Sequence, residues 1–317
     1  MSEGIVLRAG RGVYTVQTDT GRTLPCSLRG NLKKNLTYPT SGNLRRRVEK
    51  VKKRAETDPI AVGDRVEVSE EEGSRGVIEA VHPRRAALTR RSGNERERQT
   101  LVANLELAVI VFAAAEPRPD LWKLDRFLVL AEDAELDALI VLNKADLAPR
   151  DQIEVAAVPY RRIGYPVLAT SVRTGEGLDA LRGALKNKIS AFCGPSGVGK
   201  SSLLNALQPG LALKTGDVGN ISFKGRHTTV AAELLPLSFG GWVADTPGIR
   251  QVEFWDLDPD DVIFCFPEMR DLAGRCKFPD CRHRQEPGCA IRGAVERGEI
   301  DPRRHESLLE MTKPSTP

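Results

Sequence analysis

The stretch Gly194-Pro195-Ser196-Gly197-Val198-Gly199-Lys200-Ser201 constrains this chain more than any other. It satisfies G-x-x-x-x-G-K-[ST]. It also follows the apolar run Ile189-Ser190-Ala191-Phe192-Cys193 and leads into Ser202-Leu203-Leu204-Asn205-Ala206-Leu207, the strand, loop, helix setting that a phosphate-binding loop needs. The glycines let the backbone turn tightly, so that successive N–H groups and the positive end of the helix point at phosphate oxygens. In that cradle, which runs on to Ser202, Lys200 reaches the β- and γ-phosphates and Ser201 ligates Mg²⁺. An α/β domain built around a nucleoside triphosphate site is expected.

A second motif selects the base. The apolar run Ala138-Leu139-Ile140-Val141-Leu142 ends in Asn143-Lys144-Ala145-Asp146, an N-K-x-D sequence at the carboxyl end of a buried strand. The Asp146 carboxylate can accept from both N1–H and the N2 amino group of guanine, whereas adenine would leave it desolvated and unpaired. Asn143 is expected to hold neighbouring loops and the base edge, and the Lys144 stem to cover the ring face. Pro166-Val167-Leu168-Ala169-Thr170 then delivers Ser171-Val172 to a loop where a backbone N–H can meet guanine O6. A helix is expected from Leu178, and another at Asp120 to Leu130, after the buried strand at 105–113.

Two switch candidates follow the phosphate loop. Gly225-Arg226-His227-Thr228-Thr229 offers Thr228 and Thr229, of which Thr229 closes on Mg²⁺ and the γ-phosphate. Asp245-Thr246-Pro247-Gly248 offers Asp245, which holds Mg²⁺ through water, and the Gly248 N–H, which senses the γ-phosphate. The residue after Gly248 is Ile249, which cannot orient water, so slow intrinsic hydrolysis is expected. With Lys200 and Thr229, His227 is then the local catalytic candidate for orienting water, although a lone loop histidine also fits plain solvent exposure. Ordinary GTPases place the phosphate loop first and the guanine motifs last; here the order is reversed, and the domain reads as circularly permuted.

Residues 4–90 hold short alternating segments at 4–7, 12–18, 64–68 and 76–81 between glycine turns. They read as about five strands of a small barrel, best matched by an oligonucleotide-binding (OB) fold. Residues 1–98 carry 21 Lys and Arg against 13 Asp and Glu, a surplus of +8 that leaves the remainder at −4. The surplus is densest from Arg29 to Glu56, with ten basic and two acidic residues. A solvated loop is one reading; a phosphate-contacting insertion, with RNA as the polyanion, is the favoured one. Arg84-Arg85, Arg90-Arg91 and Ser92-Gly93-Asn94-Glu95-Arg96 read as a charged linker closing the barrel.

The C-terminal segment contains Cys276, Cys281, His283 and Cys289, three thiols and an imidazole within fourteen residues, separated by short loops with Pro279, Pro287 and Gly288. That donor set suits one tetrahedral, closed, structural Zn²⁺ in a reducing compartment. Cys26, Cys193 and Cys265 read as small core residues. Arg282, Arg284 and Arg292 fit either phosphate contact or solubilising charge, and 302–311 reads as a helix. No apolar run approaches the length of a membrane span and Met1-Ser2-Glu3-Gly4 has no signal-peptide character, so a cytoplasmic protein is expected.

The barrel, the permuted motif order and Gly274-Arg275-Cys276-Lys277-Phe278-Pro279-Asp280-Cys281-Arg282-His283, continuing to Cys289, resemble the RsgA (YjeQ) family of bacterial GTPases that depend on the small ribosomal subunit. The resemblance covers nearly the whole chain. It implies a multidomain α/β protein with an OB-fold RNA-binding domain at 1–95, a circularly permuted GTPase domain at 96–255 and a zinc-binding domain at 256–317. It also implies GTP and GDP as ligands, Mg²⁺ with GTP, the small subunit and its rRNA as partners, and a role in late subunit maturation. A monomer is the simplest assumption. A nucleotide-gated RNA-binding switch with little turnover, acting on a non-ribosomal target, is the alternative.

Overall fold

The structure is a computed structural model that describes residues 1–10, 12–29, 60–71, 75–91, 98–211, 232–245 and 259–313. The core of the basic run, together with His227, Thr228, Thr229, Thr246, Pro247, Gly248 and Ile249, lies outside the described residues.

In chain order the first strands are β1 (Ser2–Gly10), β2 (Val13–Thr18), β3 (Thr23–Leu28), β4 (Arg65–Glu71), β5 (Arg75–Val81), β6 (Ala87–Arg91) and β7 (Arg98–Ala103). Strands and helices then alternate: β8 (Leu107–Ala113), α1 (Leu121–Asp133), β9 (Asp137–Asn143), α2 (Arg150–Arg162), β10 (Val167–Ala169), α3 (Leu178–Leu185), β11 (Ile189–Cys193) and α4 (Lys200–Leu207). Strands β12 (Glu233–Pro236) and β13 (Trp242–Asp245) precede α5 (Pro267–Arg270), α6 (Ala290–Glu296) and α7 (Pro302–Met311). The chain forms two compact units, the first comprising 1–107, 184–191 and 208–251, the second 108–183, 192–207 and 252–317.

In the first unit, β1 to β5 make the expected barrel in the order β1-β2-β3-β5-β4, closed by antiparallel pairing of β4 with β1. Alternation explains much of it: Val16, Leu24, Val66, Val68 and Ile78 are buried, while Thr15, Gln17, Thr23, Pro25, Glu67 and Glu79 between them are more exposed; in β1 Ile5, Val6 and Leu7 are all buried. Strand β3, which carries Pro25 and polar residues, was not among the expected segments. In the same unit β1 also meets β12 at Arg8 opposite Glu233, and β12 runs antiparallel to β13, which is parallel to the start of β11.

The start of the expected linker at 84–96 is instead strand, since β6 pairs antiparallel with β7. Its entry is pinned by charge rather than solvated. Arg84 donates through Nε and Nη2 to both carboxylate oxygens of the buried Asp64 (2.7 and 2.9 Å), and through Nη1 to Thr100 Oγ1 (3.0 Å). Asp64 also accepts from the Ala61 backbone N–H at 2.7 Å, so both partners are satisfied where burial would otherwise penalise them.

In the second unit, β8, β9 and β10 form a sheet whose first two strands are almost wholly buried, the pattern of a sheet covered on both faces. β10 runs parallel to β9, with Val167 opposite Ile140. Helix α1 starts where Asp120 accepts from the Lys123 N–H (3.2 Å) and buries Leu124, Leu128 and Val129. Helix α2 forms despite Pro159, because Ile153, Ala157 and Tyr160 are buried along one face. The C-terminal core of Val262, Phe266, Met269, Ile291, Ala294 and Leu308 packs with Val129 of α1.

A buried ionic cluster fastens α7 to this core. Asp125 of α1 accepts from Arg303 Nη1 (2.6 Å), Arg304 Nη1 (2.9 Å), Tyr160 OH (2.7 Å) and Ser307 Oγ. Arg304, 1% exposed, also donates to both oxygens of Glu268 and lies 4.4 Å over the Phe266 ring. Burial alone would lower the Arg304 pKa, but Glu268 and Asp125 outweigh it and raise it.

Candidate functional site

The second unit brings the guanine motif and the phosphate loop together. Strand β11 ends at Cys193, whose Sγ lies 3.6 Å from Val109 O, and the chain turns at Gly194. Gly194 has φ +132°, and a Cβ there would sit 2.1 Å from Val111 O, so no other residue fits this turn. Gly199 (φ +93°) is equally constrained, since its Cβ would fall 2.4 Å from Asn143 Nδ2. From there α4 starts, with the Leu203 N–H on Gly199 O (2.9 Å). The Lys200 ammonium donates to the carbonyls of Gly194 (2.8 Å) and Pro195, so it lies across the loop. Ser196, Gly197, Ser201 and Ser202 are exposed and Val198 is buried.

Asn143 is the joint between the two motifs. Its side chain is buried, donating through Nδ2 to Val198 O of the phosphate loop (2.9 Å) and accepting through Oδ1 from Thr170 Oγ1 (3.1 Å). One amide thus ties the ends of β9 and β10 to the loop between β11 and α4. Lys144 adopts a left-handed backbone (φ +61°) and its ammonium donates to Glu116 O at 2.6 Å, which lays the stem alongside the motif.

Asp146 is the anionic centre of this half of the site. Its carboxylate accepts from Ser171 Oγ and from Arg173 Nε (2.7 Å), and its side chain is 9% exposed. The Ser171 hydroxyl, and next to it the Arg173 guanidinium, hold the carboxyl below its usual range, so it is ionised and ready to accept. Ser171 is wholly buried and also accepts from the Thr174 N–H (3.2 Å), while Val172 beside it is exposed. Thr170 and Arg173 were not singled out in the sequence. Arg173 sits two residues past Ser171, and its place on the loop expected to meet the base is the only signal that could have found it, since its partner Asp146 is 27 positions away.

Asp245 ends β13 in the first unit and is half-buried.

In the C-terminal segment Cys276, Cys281, His283 and Cys289 converge, every donor atom within 4.8 Å of the others. Cys276 Sγ lies 3.5 Å from His283 Nδ1 and 3.9 Å from Cys289 Sγ; Cys281 Sγ and Cys289 Sγ lie 3.6 and 3.4 Å from the same nitrogen. A tetrahedral Zn²⁺ with bonds of about 2.3 Å to sulfur and about 2.0 Å to nitrogen needs edges of roughly 3.8 and 3.5 Å. The spacing therefore suits metal ligands better than thiol hydrogen bonds. The Ala290 N–H points at Cys276 Sγ (3.3 Å) and the Arg292 N–H at Cys289 Sγ (3.5 Å), an arrangement that favours thiolate. Burial lowers the His283 pKa, which keeps its lone pair available. The donors fit zinc.

A family model described as RsgA GTPase matches residues 81–255. The chain belongs to the RsgA GTPase family. Among curated RsgA proteins, the small ribosomal subunit biogenesis GTPase RsgA of Gemmatimonas aurantiaca is 44% identical, covering 97% of this chain and 95% of its own. That of Thermotoga maritima is 39% identical with the same coverage. Among solved structures, YjeQ from Thermotoga maritima superposes with a TM-score of 0.77 at 37% identity, over 98% of this chain and 97% of that one. YloQ, described as a circularly permuted GTPase, gives 0.74 at 30% identity over 100% and 97%. This RsgA-family chain is accordingly a GTP hydrolase of circularly permuted fold with an OB-like barrel, and it binds GTP and GDP. Among the described residues no helix is long and apolar enough to cross a membrane.

Proposed function

We propose that this GTP hydrolase acts in the biogenesis of the small ribosomal subunit, the role its relatives' names carry, with the subunit and its rRNA as partners in the cytoplasm. The observation that carries the reading is the Asn143 amide on Val198 O. It couples the expected guanine-reading loop directly to the phosphate-binding loop, the arrangement that a GTP site needs.

In this reading Asp146, assisted by Ser171 and the Val172 backbone, reads guanine while Asn143 and Lys144 position and cover it. The 194–202 loop holds the phosphates. Lys200 neutralises charge that develops in the transition state, and Ser201, with Thr229 and a water held by Asp245, places Mg²⁺. Thr228 and the Gly248 N–H follow the γ-phosphate, and His227 orients the attacking water in place of the missing glutamine. The domains run 1–95, 96–255 and 256–317, the first being the RNA-binding barrel with its basic insertion. The chain acts as a monomer. Zn²⁺ on Cys276, Cys281, His283 and Cys289 is structural: four protein ligands leave no position for substrate.

The test is GTP hydrolysis by the full chain with and without purified small subunits, beside cosedimentation in GTP and GDP. Stimulation by small subunits alone supports the reading. Binding without stimulation supports a non-hydrolytic switch, and neither effect sinks the ribosomal assignment. Elemental analysis should find a full equivalent of zinc in undamaged protein.

A further inference from the structure

The start of α6 holds two sulfurs of the cysteine cluster, since the Ala290 N–H points at Cys276 and the Arg292 N–H at Cys289, the N-cap. Residues 281–288, which carry Cys281 and His283, belong to no helix or strand. His283 also has a left-handed backbone, φ +59°, which residues other than glycine seldom adopt. Regular structure therefore does not set the direction of its imidazole.

Two clamps do. From within the loop, the Glu286 carboxylate accepts the N–H groups of Arg282 (2.9 Å) and Arg284 (2.8 Å), one on each side of His283. From α7, the His305 imidazole bonds His283 O through Nε2 at 2.9 Å. A carbonyl oxygen only accepts, so that nitrogen carries the proton. A second tie runs beside it, from Arg284 Nη2 to Leu309 O (3.2 Å), about one turn further along the helix. Arg304 and Ser307 of the same helix reach Asp125 instead. Helix α7 is thus held by the core of the second unit while it holds the cysteine loop.

We infer, on the reading that Cys276, Cys281, His283 and Cys289 hold Zn²⁺, that His305 is a positioning residue for that ion: its bond to His283 O keeps the left-handed turn that aims His283 Nδ1 at the three sulfurs. The bond is to a backbone oxygen, not to a donor atom. It therefore governs how firmly the imidazole stays on the metal, not whether four donors are present. Groups that orient a metal ligand in this indirect way change metal affinity by about 10–100-fold when they are removed.

The experiment follows zinc leaving the full-length, zinc-loaded chain into a coloured chelator, with cobalt substitution as a spectroscopic readout. The wild type is expected to hold a full equivalent and to release it slowly. His305→Ala should take up the same equivalent at saturating zinc but release it about 10–100-fold faster, with altered visible cobalt bands as water displaces the imidazole. His305→Phe keeps a ring and loses the donor, so it should behave as His305→Ala does. His305→Gln, whose amide can donate to the same carbonyl, should return release toward the wild-type rate. Ser307→Ala loosens α7 on its Asp125 side without touching His283, and should release zinc as the wild type does. Slow, wild-type release from both His305→Ala and His305→Phe overturns the proposal and leaves the zinc reading intact, as does equal acceleration in Ser307→Ala. A wild type that binds no zinc overturns both.

Discussion

At the scale of single residues, the site depends on carboxylates kept ionised by what surrounds them. Asp146 is held so by Ser171 and Arg173. Asp146→Asn replaces one acceptor with a donor, so GTP should bind much more weakly while xanthosine triphosphate, with a carbonyl in place of the 2-amino group, is gained. Competition between the two nucleotides measures this, and an unchanged preference would remove Asp146 from the base site. Glu286 is a second case. Its own backbone N–H, and then those of Arg282 (2.9 Å), Gln285 (3.0 Å) and Arg284 (2.8 Å) in the cysteine loop, pull its pKa from 4.5 to about 2. A depressed folded-state pKa means stabilisation that is complete above the unfolded value and lost as pH falls through the folded one. The stability gap between wild type and Glu286→Gln should therefore be constant above about pH 5 and shrink between 4.5 and about 2, which denaturant titrations across that range would read.

At the scale of elements, what was legible in the sequence follows from how locally each feature is encoded. Strand β11 and the loop after it lie within one short stretch of chain, and the cysteine cluster lies within fourteen residues, so each announces itself. The β6–β7 pair does not, because its arginines suggest solvent and the partner that buries Arg84 is Asp64, twenty positions earlier. The same blindness hid the fastening of α7. Arg303 and Arg304 look like the polar face of an exposed helix until Asp125, nearly 180 residues away, is found between them. Removing one member of a buried ion cluster leaves its partners charged and unpaired. Asp125→Ala should therefore destabilise the second unit by about 3–5 kcal/mol, measurable as a lowered urea midpoint with unchanged GTP specificity. A loss well under 1 kcal/mol would mean that water reaches Arg303 and Arg304 freely.

At the scale of the whole molecule, the permuted order decides what the switch residues are joined to. The chain passes from Asp245-Thr246-Pro247-Gly248 straight into the segment bearing the cysteine cluster, with no guanine motif between. If His227 orients the water that Ile249 cannot, His227→Ala should keep GTP affinity and subunit binding but lose most subunit-stimulated turnover. Lys200→Ala should weaken nucleotide binding itself. Unchanged stimulated turnover in His227→Ala would assign that task to the ribosomal partner. The pairing of Arg8 on β1 with Glu233 on β12 has a consequence for how the gene can be cut. Strand β12 is the first strand of the antiparallel pair that ends at Asp245, and β1 occupies its outer side. A fragment starting near residue 96 would bare that side's N–H and C=O groups, an open edge that invites pairing between copies. Within the first unit the barrel thus covers the outer edge of the β12–β13 pair.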